Sequence, residues 1–125
     1  MRRSRGRQQG TSLVEVLIGV VILAVGLLAL AGLQVTSVRG NFFSGSLTQA
    51  TYAAQDRMEF LRMLTFDAVP LQPGTYGDGT VTISGVAFDR AYTVTLNGTR
   101  KNITYTVSWN DGTNHRVSLS TIRSQ

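Results

Sequence analysis

The stretch Gly10-Thr11-Ser12-Leu13-Val14-Glu15-Val16-Leu17, followed by an unbroken apolar run to Leu33 and then Gln34, decides how this chain is organised. Between Val16 and Leu33 lie eighteen residues with no charge and no proline. A helix needs about 20 predominantly apolar residues to cross a hydrocarbon core of about 30 Å, so the run has the length of a membrane span. Glu15 sits one turn inside it, where an unpaired carboxylate costs roughly 2.5 kcal/mol or more. The sequence therefore predicts a cationic partner for Glu15. Upstream, Arg2, Arg3, Arg5 and Arg7 stand without any acidic residue, and Gln8, Gln9 and Gly10 lead straight into the helix.

An ordinary secretory signal peptide fits this stretch less well. Such a signal has an apolar core of about 7 to 15 residues and a small-residue cleavage site beyond it. Here the run is longer and carries a carboxylate. A plain bitopic anchor accommodates the length but gives Glu15 no role.

A short basic leader, Gly10, a start at Thr11, Glu15 four residues on and an apolar helix together resemble the type III signal of type IV prepilins and type II secretion pseudopilins. The resemblance implies a cut by prepilin peptidase on the cytoplasmic side, between Gly10 and Thr11, and methylation of the new amino terminus at Thr11. It also implies that Glu15 pairs with the terminal amine of a neighbouring subunit during assembly. A carboxylate and an ammonium each lose several kcal/mol on leaving water, and pairing recovers much of this only in good geometry. Such a pair selects register more than it adds strength. Small residues Gly19, Gly26, Ala29 and Gly32, roughly along one face, permit close approach of neighbouring helices. The chain departs from the family at Thr11, where most members carry phenylalanine or another bulky apolar residue, and at Gly32, where many major pilins carry proline. A glycine weakens a helix by about 1 kcal/mol relative to alanine without breaking it.

The chain's 125 residues allow one domain, and loss of the leader leaves 115. Cysteine is absent, which excludes disulfides and thiolate metal sites. The formal charge of +5 comes mainly from the leader: of twelve Lys+Arg, four lie there, and the remaining eight face seven Asp+Glu, for a mature charge of +1. The leader arginines read as holding the amino terminus in the cytoplasm, and nucleic acid is not an expected partner.

After Gln34 the pattern weakens at Arg39, Gly40, Asn41 and Gly45, where a bend or fraying is expected. Leu47, Ala50, Ala54, Met58, Leu61 and Leu64 then recur at spacings of three and four, the stripe of an amphipathic helix. Asp56, Glu59 and Arg62 lie largely off the stripe. Pro70 and Pro73 close the element, placing the helix end near Phe66. Gly74, Gly77, Asp78 and Gly79 read as an exposed, turn-rich connection. Short alternating runs follow: Val81 and Ile83; Tyr92, Val94 and Leu96; Ile103, Tyr105, Val107 and Trp109; Val117 and Leu119. Their intervening residues are mainly Thr or Ser, as for an antiparallel sheet covered on one face. Asn97-Gly98 and Asp111-Gly112 mark turns between them.

The expected fold is therefore α+β: a long helix whose amphipathic second half packs on a small antiparallel sheet of about four strands. The expected divisions are a leader at 1–10, a membrane or filament-core half-helix at 11–34, an amphipathic half-helix at 35–66 and a sheet region at 67–125. Thr104-Tyr105-Thr106-Val107-Ser108-Trp109, a polar turn, then Arg116-Val117-Ser118-Leu119-Ser120-Thr121-Ile122-Arg123 resembles the closing hairpin of PilV-type minor pilins, as does the helix from Ala24 to Gln34.

Chemistry is otherwise sparse. His115 is the sole histidine and reads as a solvated loop residue. Asp78, Asp89, Asp111, Asn110 and Asn114 lack the spacing of a calcium loop, and no triad of nucleophile, base and orienting acid can be assembled. Asn97-Gly98-Thr99 and Asn102-Ile103-Thr104 match a glycosylation sequon, but turn chemistry explains both asparagines. Arg90, Arg100, Lys101, Arg116 and Arg123 read as a solvated surface. No catalytic residue, metal or cofactor is expected. The resemblance implies a minor pilin of a type IV pilus that supports assembly, adhesion or surface motility. Its expected partners are prepilin peptidase, major and minor pilins, the inner-membrane assembly platform and membrane lipid. Its expected locations are the inner membrane as a precursor, with the sheet outside the cytoplasm, and the pilus after assembly. A type II secretion pseudopilin shares every feature up to Leu33; a bitopic protein with an external ligand-binding sheet shares the helix alone.

Overall fold

The computed structural model describes residues 12–125. Helix α1 runs from Leu13 to Met63, a short 3-10 helix covers Val69–Leu71, and four strands follow: β1 (Gly74–Ile83), β2 (Val86–Asn97), β3 (Arg100–Asn110) and β4 (Asn114–Ser124). The strands form one antiparallel sheet in the order β1-β2-β3-β4. The chain divides into two compact units, up to Asn41 and from Phe42 onward. That division falls on the weak patch of the helix, yet α1 remains helical through Arg39, Gly40 and Gly45.

The core lies between the second half of α1 and one face of the sheet. Ser46, Ala50, Ala54, Met58 and Leu61 are the buried helix positions. The first three are small, which lets the helix axis approach the sheet, and Leu47, expected on the stripe, is instead partly exposed. Opposite them stand Phe88, Tyr92 and Val94 of β2 and Ile103, Tyr105, Val107 and Trp109 of β3. Burying side chains of this kind contributes about 1.5–3 kcal/mol each, and this is the main force holding helix to sheet. Tyr76, Tyr92 and Tyr105 form a row across three strands, with ring centroids 5.0 and 6.1 Å apart and nearly parallel planes. On the opposite face Thr75 pairs with Thr93, Thr104 with Ser120 and Thr106 with Ser118, hydroxyl to hydroxyl at 3.0–3.2 Å. Period-two alternation thus separates an apolar face from a hydroxyl face.

Three differences from the sequence expectations have physical causes. The helix ends at Met63 rather than near Phe66, because cations from the sheet take up the carbonyls there. Arg123 Nη1 donates to Arg62 O at 2.7 Å, and Lys101 Nζ donates to Phe66 O at 2.6 Å while lying 4.2 Å from the Phe66 ring centroid. Lys101 is only 4% exposed, so it is a core residue and not part of a basic surface patch. Next, Gly74–Gly79 is largely exposed, as expected, but is the first part of β1 rather than a turn-rich connection, paired from Gly74↔Val94 to Gly77↔Ala91 with a bulge before Thr80↔Asp89. The bulge turns Asp78 toward the helix, where its carboxylate is held by Arg57. Finally, His115 is the second residue of β4, paired with Trp109, instead of sitting in the turn: its ring lies 4.8 Å from Phe43 and 5.3 Å from Trp109, and Nε2 is 2.9 Å from Asp111 Oδ1.

The turns follow strand chemistry. Ser84 and Gly85, both at positive φ, join β1 to β2, and Gly98-Thr99 joins β2 to β3 with Gly98 at φ 62°. Primed turns of this kind match the strand twist. Asn97, expected at the centre of that turn, is the last paired residue of β2.

Candidate functional site

The first half of α1 is the segment whose chemistry demands a partner. Backbone N–H groups of Glu15 and Val16 donate to Ser12 O at 2.9 and 3.2 Å, which closes the first turn. Glu15 lies in that turn, where the partial positive charge of the helix amino terminus favours a carboxylate. Beyond it the large apolar side chains from Val16 to Leu33 are all more than half exposed among the described residues. This helix is long and apolar enough to cross a membrane. An exposed stripe of this length has no place in water, since monomeric soluble proteins rarely present apolar patches larger than a few hundred Å².

Gly10 and Thr11, the expected cleavage and methylation positions, lie outside the described residues. Of the residues expected to act in helix packing, at about 100° per residue Gly19 and Gly26 fall within about 40° of Glu15, and Ala29 about 40° to its other side. Gly32 is turned about 100° from Glu15, so it does not share that narrow face. At Gly19, Gly26 and Gly32 a built Cβ meets nothing within 4 Å. No contact within the described chain therefore requires glycine at these positions. Gly32 instead offers its carbonyl to Thr36 Oγ1 at 3.1 Å, a side-chain bond of the kind that bends helices slightly.

The second unit contains one polar cluster that the sequence did not reveal. Arg57 Nε and Nη2 each donate to an oxygen of Asp78 at 2.6 Å, and Tyr105 OH donates to the Asp78 Oδ2. Arg90 Nη2 donates to the Asp78 backbone carbonyl at 2.9 Å. Burial pushes the Asp78 carboxyl up, but the hydrogen bonds from Arg57 and Tyr105 outweigh it and hold it below the ordinary range. Burial, and then donation to the Asp78 carboxylate, push the Tyr105 phenol well up. The cluster pins helix, bulge and central strand to one another. Arg90, Lys101 and Arg123 all bond inward, which leaves Arg100 and Arg116 as the exposed cations of the expected basic surface. Among the described residues no group of three His, Asp or Glu side chains converges to hold a metal ion.

Residues 2–31 match the family model described as the prokaryotic N-terminal methylation motif. No curated protein and no solved structure matches the chain. The match covers the leader and the first half of α1, and it includes Gly10, Thr11, Glu15, Gly19, Gly26 and Ala29; Gly32 lies just beyond it. The matched motif implies processing by prepilin peptidase and pilin partners. The methylation motif, the span-length apolar helix and the four-stranded antiparallel sheet support a type IV pilin-like protein, membrane-anchored as its precursor.

Proposed function

We propose that the chain is a PilV-like minor pilin, cut between Gly10 and Thr11, methylated at Thr11 and drawn into a type IV pilus or its initiating complex through α1. The observation that carries the reading is the combination, in one matched segment, of a glycine before the helix and a carboxylate in its first turn. Cleavage creates a new amine at Thr11. In an apolar bundle the Glu15 carboxylate of one subunit and the Thr11 amine of the next satisfy each other, and a subunit placed in the wrong register leaves both unpaired. Such a mispairing is costly, because breaking a buried ion pair costs about 3–5 kcal/mol. The glycines at positions 19 and 26, on the same side of the helix as Glu15, let a neighbouring helix approach closely enough for the pair to form. Incorporation then supports assembly of the fibre and, from the exposed sheet, adhesion or surface motility.

The test is the intact mass and amino-terminal sequence of the protein taken from membranes and from sheared surface fibres. A product that begins at Thr11 and is present in fibres is the expected result. Retention of residues 2–10 would remove the proposed partner of Glu15 and overturn the reading. A processed product confined to the cell envelope, with exoprotein export lost in its absence, would identify a secretion pseudopilin instead.

A further inference from the structure

The turn between β3 and β4 brings the chain's sole histidine to a carboxylate and a hydroxyl. His115 Nε2 lies 2.9 Å from Asp111 Oδ1 and 2.8 Å from Thr113 Oγ1, and the two oxygens are 3.4 Å apart. A proton on Nε2 and that of the Thr113 hydroxyl hold this small triangle as a hydrogen-bonded cluster. The same triangle has the dimensions of a coordination face. Donors about 2.1 Å from one ion, at angles between a right angle and the tetrahedral one, stand about 3.0–3.4 Å apart.

The three side chains are held in place before any ion arrives. The imidazole packs against both Phe43 of α1 and Trp109 of β3, with ring centroids 4.8 and 5.3 Å away, and the cross-strand pair Trp109↔His115 fixes where it starts. The turn is fastened as well: Asp111 N donates to Thr113 O at 3.3 Å, Gly112 N donates to Asn110 Oδ1 at 2.9 Å, and the Asn110 and Asn114 amides bond each other. The side chains of Asp111 and His115 are 14% and 25% exposed, so the triangle is mostly sheltered, while exposed Thr113 leaves it open to solvent. Arg116, the next residue, belongs to the opposite face of the sheet by strand alternation.

From these features we infer that Asp111, Thr113 and His115 form a site for a divalent transition-metal ion, with Oδ1, Oγ1 and Nε2 on one face of the ion and water on the others. No spaced motif announces this set in the sequence, where no metal is expected. The imidazole decides the class of ion: it suits zinc, copper and nickel, whereas magnesium and calcium take oxygen donors. Binding needs the neutral ring with its one proton on Nδ1, so that the Nε2 lone pair faces the ion; Nε2 gives its proton to water and Nδ1 takes one from water. The third ligand is a neutral hydroxyl, so the site is open and of low affinity. An ion there closes residues 111–115 into a ring at the end of the hairpin, beside the contact with α1 at Phe43. The inference does not depend on the pilin-like reading, because every ligand comes from this turn and the start of β4.

The sole tryptophan makes the test direct, since the Trp109 ring lies 5.3 Å from that of His115. The full-length chain in detergent, without an added histidine tag, is titrated with nickel chloride while tryptophan emission is followed; nickel quenches at short range. Saturable quenching, reversed by excess zinc and not by calcium or magnesium, is the expected result. His115→Gln, which keeps an amide able to bond Asp111, should leave only the linear quenching of free ions. Asp111→Asn should weaken binding by about tenfold or more, since even residues that merely orient a metal ligand carry that much. Linear quenching in the parent chain, or saturable quenching that persists unchanged in His115→Gln, overturns the site. A second measurement needs no variant: zinc should slow modification of His115 by diethyl pyrocarbonate, read by mass on the peptide that contains it, and an unchanged rate in the presence of zinc overturns the site as well.

Discussion

Arg57 and Asp78 meet in a two-pronged contact, Nε and Nη2 each 2.6 Å from a different carboxylate oxygen, and so tie the carboxy-terminal end of α1 to the bulge of β1. Tyr105 adds its hydroxyl from the central strand. Asp78→Asn removes the charge that both donors address and leaves a partly buried guanidinium facing a neutral amide. The expected loss is about 2 kcal/mol, from the worth of hydrogen bonds to charged groups. Thermal melting of the full chain in detergent measures it.

The same carboxylate sets an acid limit. Its folded-state acidity is stronger than the ordinary aspartate value of 3.8, so its stabilisation is complete above that pH and is lost as pH falls through the depressed folded value. Melting temperature of the parent chain is expected to decline below about pH 4. In the Asp78→Asn variant that portion of the decline should be missing; an identical acid profile in the two proteins would show that Asp78 is not the group titrating.

Lys101→Met keeps the apolar stem of a buried side chain and deletes its contacts with the Phe66 carbonyl and ring. The expected cost is about 2 kcal/mol. Hydrogen exchange should locate it, with amides near Leu61–Phe66 losing protection before those of β2 and β3. Uniform loss across the sheet would instead mean that Lys101 supports the whole core.

Glu15→Ala should leave processing intact and the sheet domain's melting unchanged, because Glu15 bonds to no side chain among the described residues. Incorporation into sheared fibres should fall sharply. Normal incorporation would contradict the pairing of Glu15 with the amine of a neighbouring Thr11.

Gly10→Val should block the cut, and Gly10→Ala should be processed in part. An immunoblot that separates precursor from product decides this, and full processing of the valine variant would exclude prepilin peptidase as the enzyme responsible.

Gly26→Leu separates packing within the chain from packing between chains. A Cβ at this position meets nothing within 4 Å, so stability of the monomer should change by no more than about 0.5 kcal/mol. Entry into fibres should drop, since a leucine holds a neighbouring helix away from the small-residue face. Unimpaired entry would place that face toward lipid or solvent.

The α+β class was legible because its two halves carry different periods. An uninterrupted apolar run of this length reads as a span or a buried helix, and alternation of Thr with Val, Ile or Tyr reads as a one-sided strand. Glu15 was legible for a related reason, as a charge one turn inside an apolar run. What stayed hidden depends on contacts between elements. Asp78 among three glycines looks like a turn, and its partners, Arg57, 21 residues earlier, and Tyr105, 27 residues later, lie on other elements. Lys101 and Arg123 look like surface cations until the helix terminus presents carbonyls to them. Phe88 is fully buried although the charged Asp89 and Arg90 follow it directly.

Each strand pairs with the strand before it, across turns of two or three residues. Loop closure is therefore inexpensive at every step, and such local topologies reach the folded state quickly. With no cysteine in the sequence, the sheet closes without any disulfide. Hairpin after hairpin can close on the second half of α1, which precedes them in the chain. The meander thus lets the sheet form in the order in which the chain is made, each strand finding its partner in the one just before it.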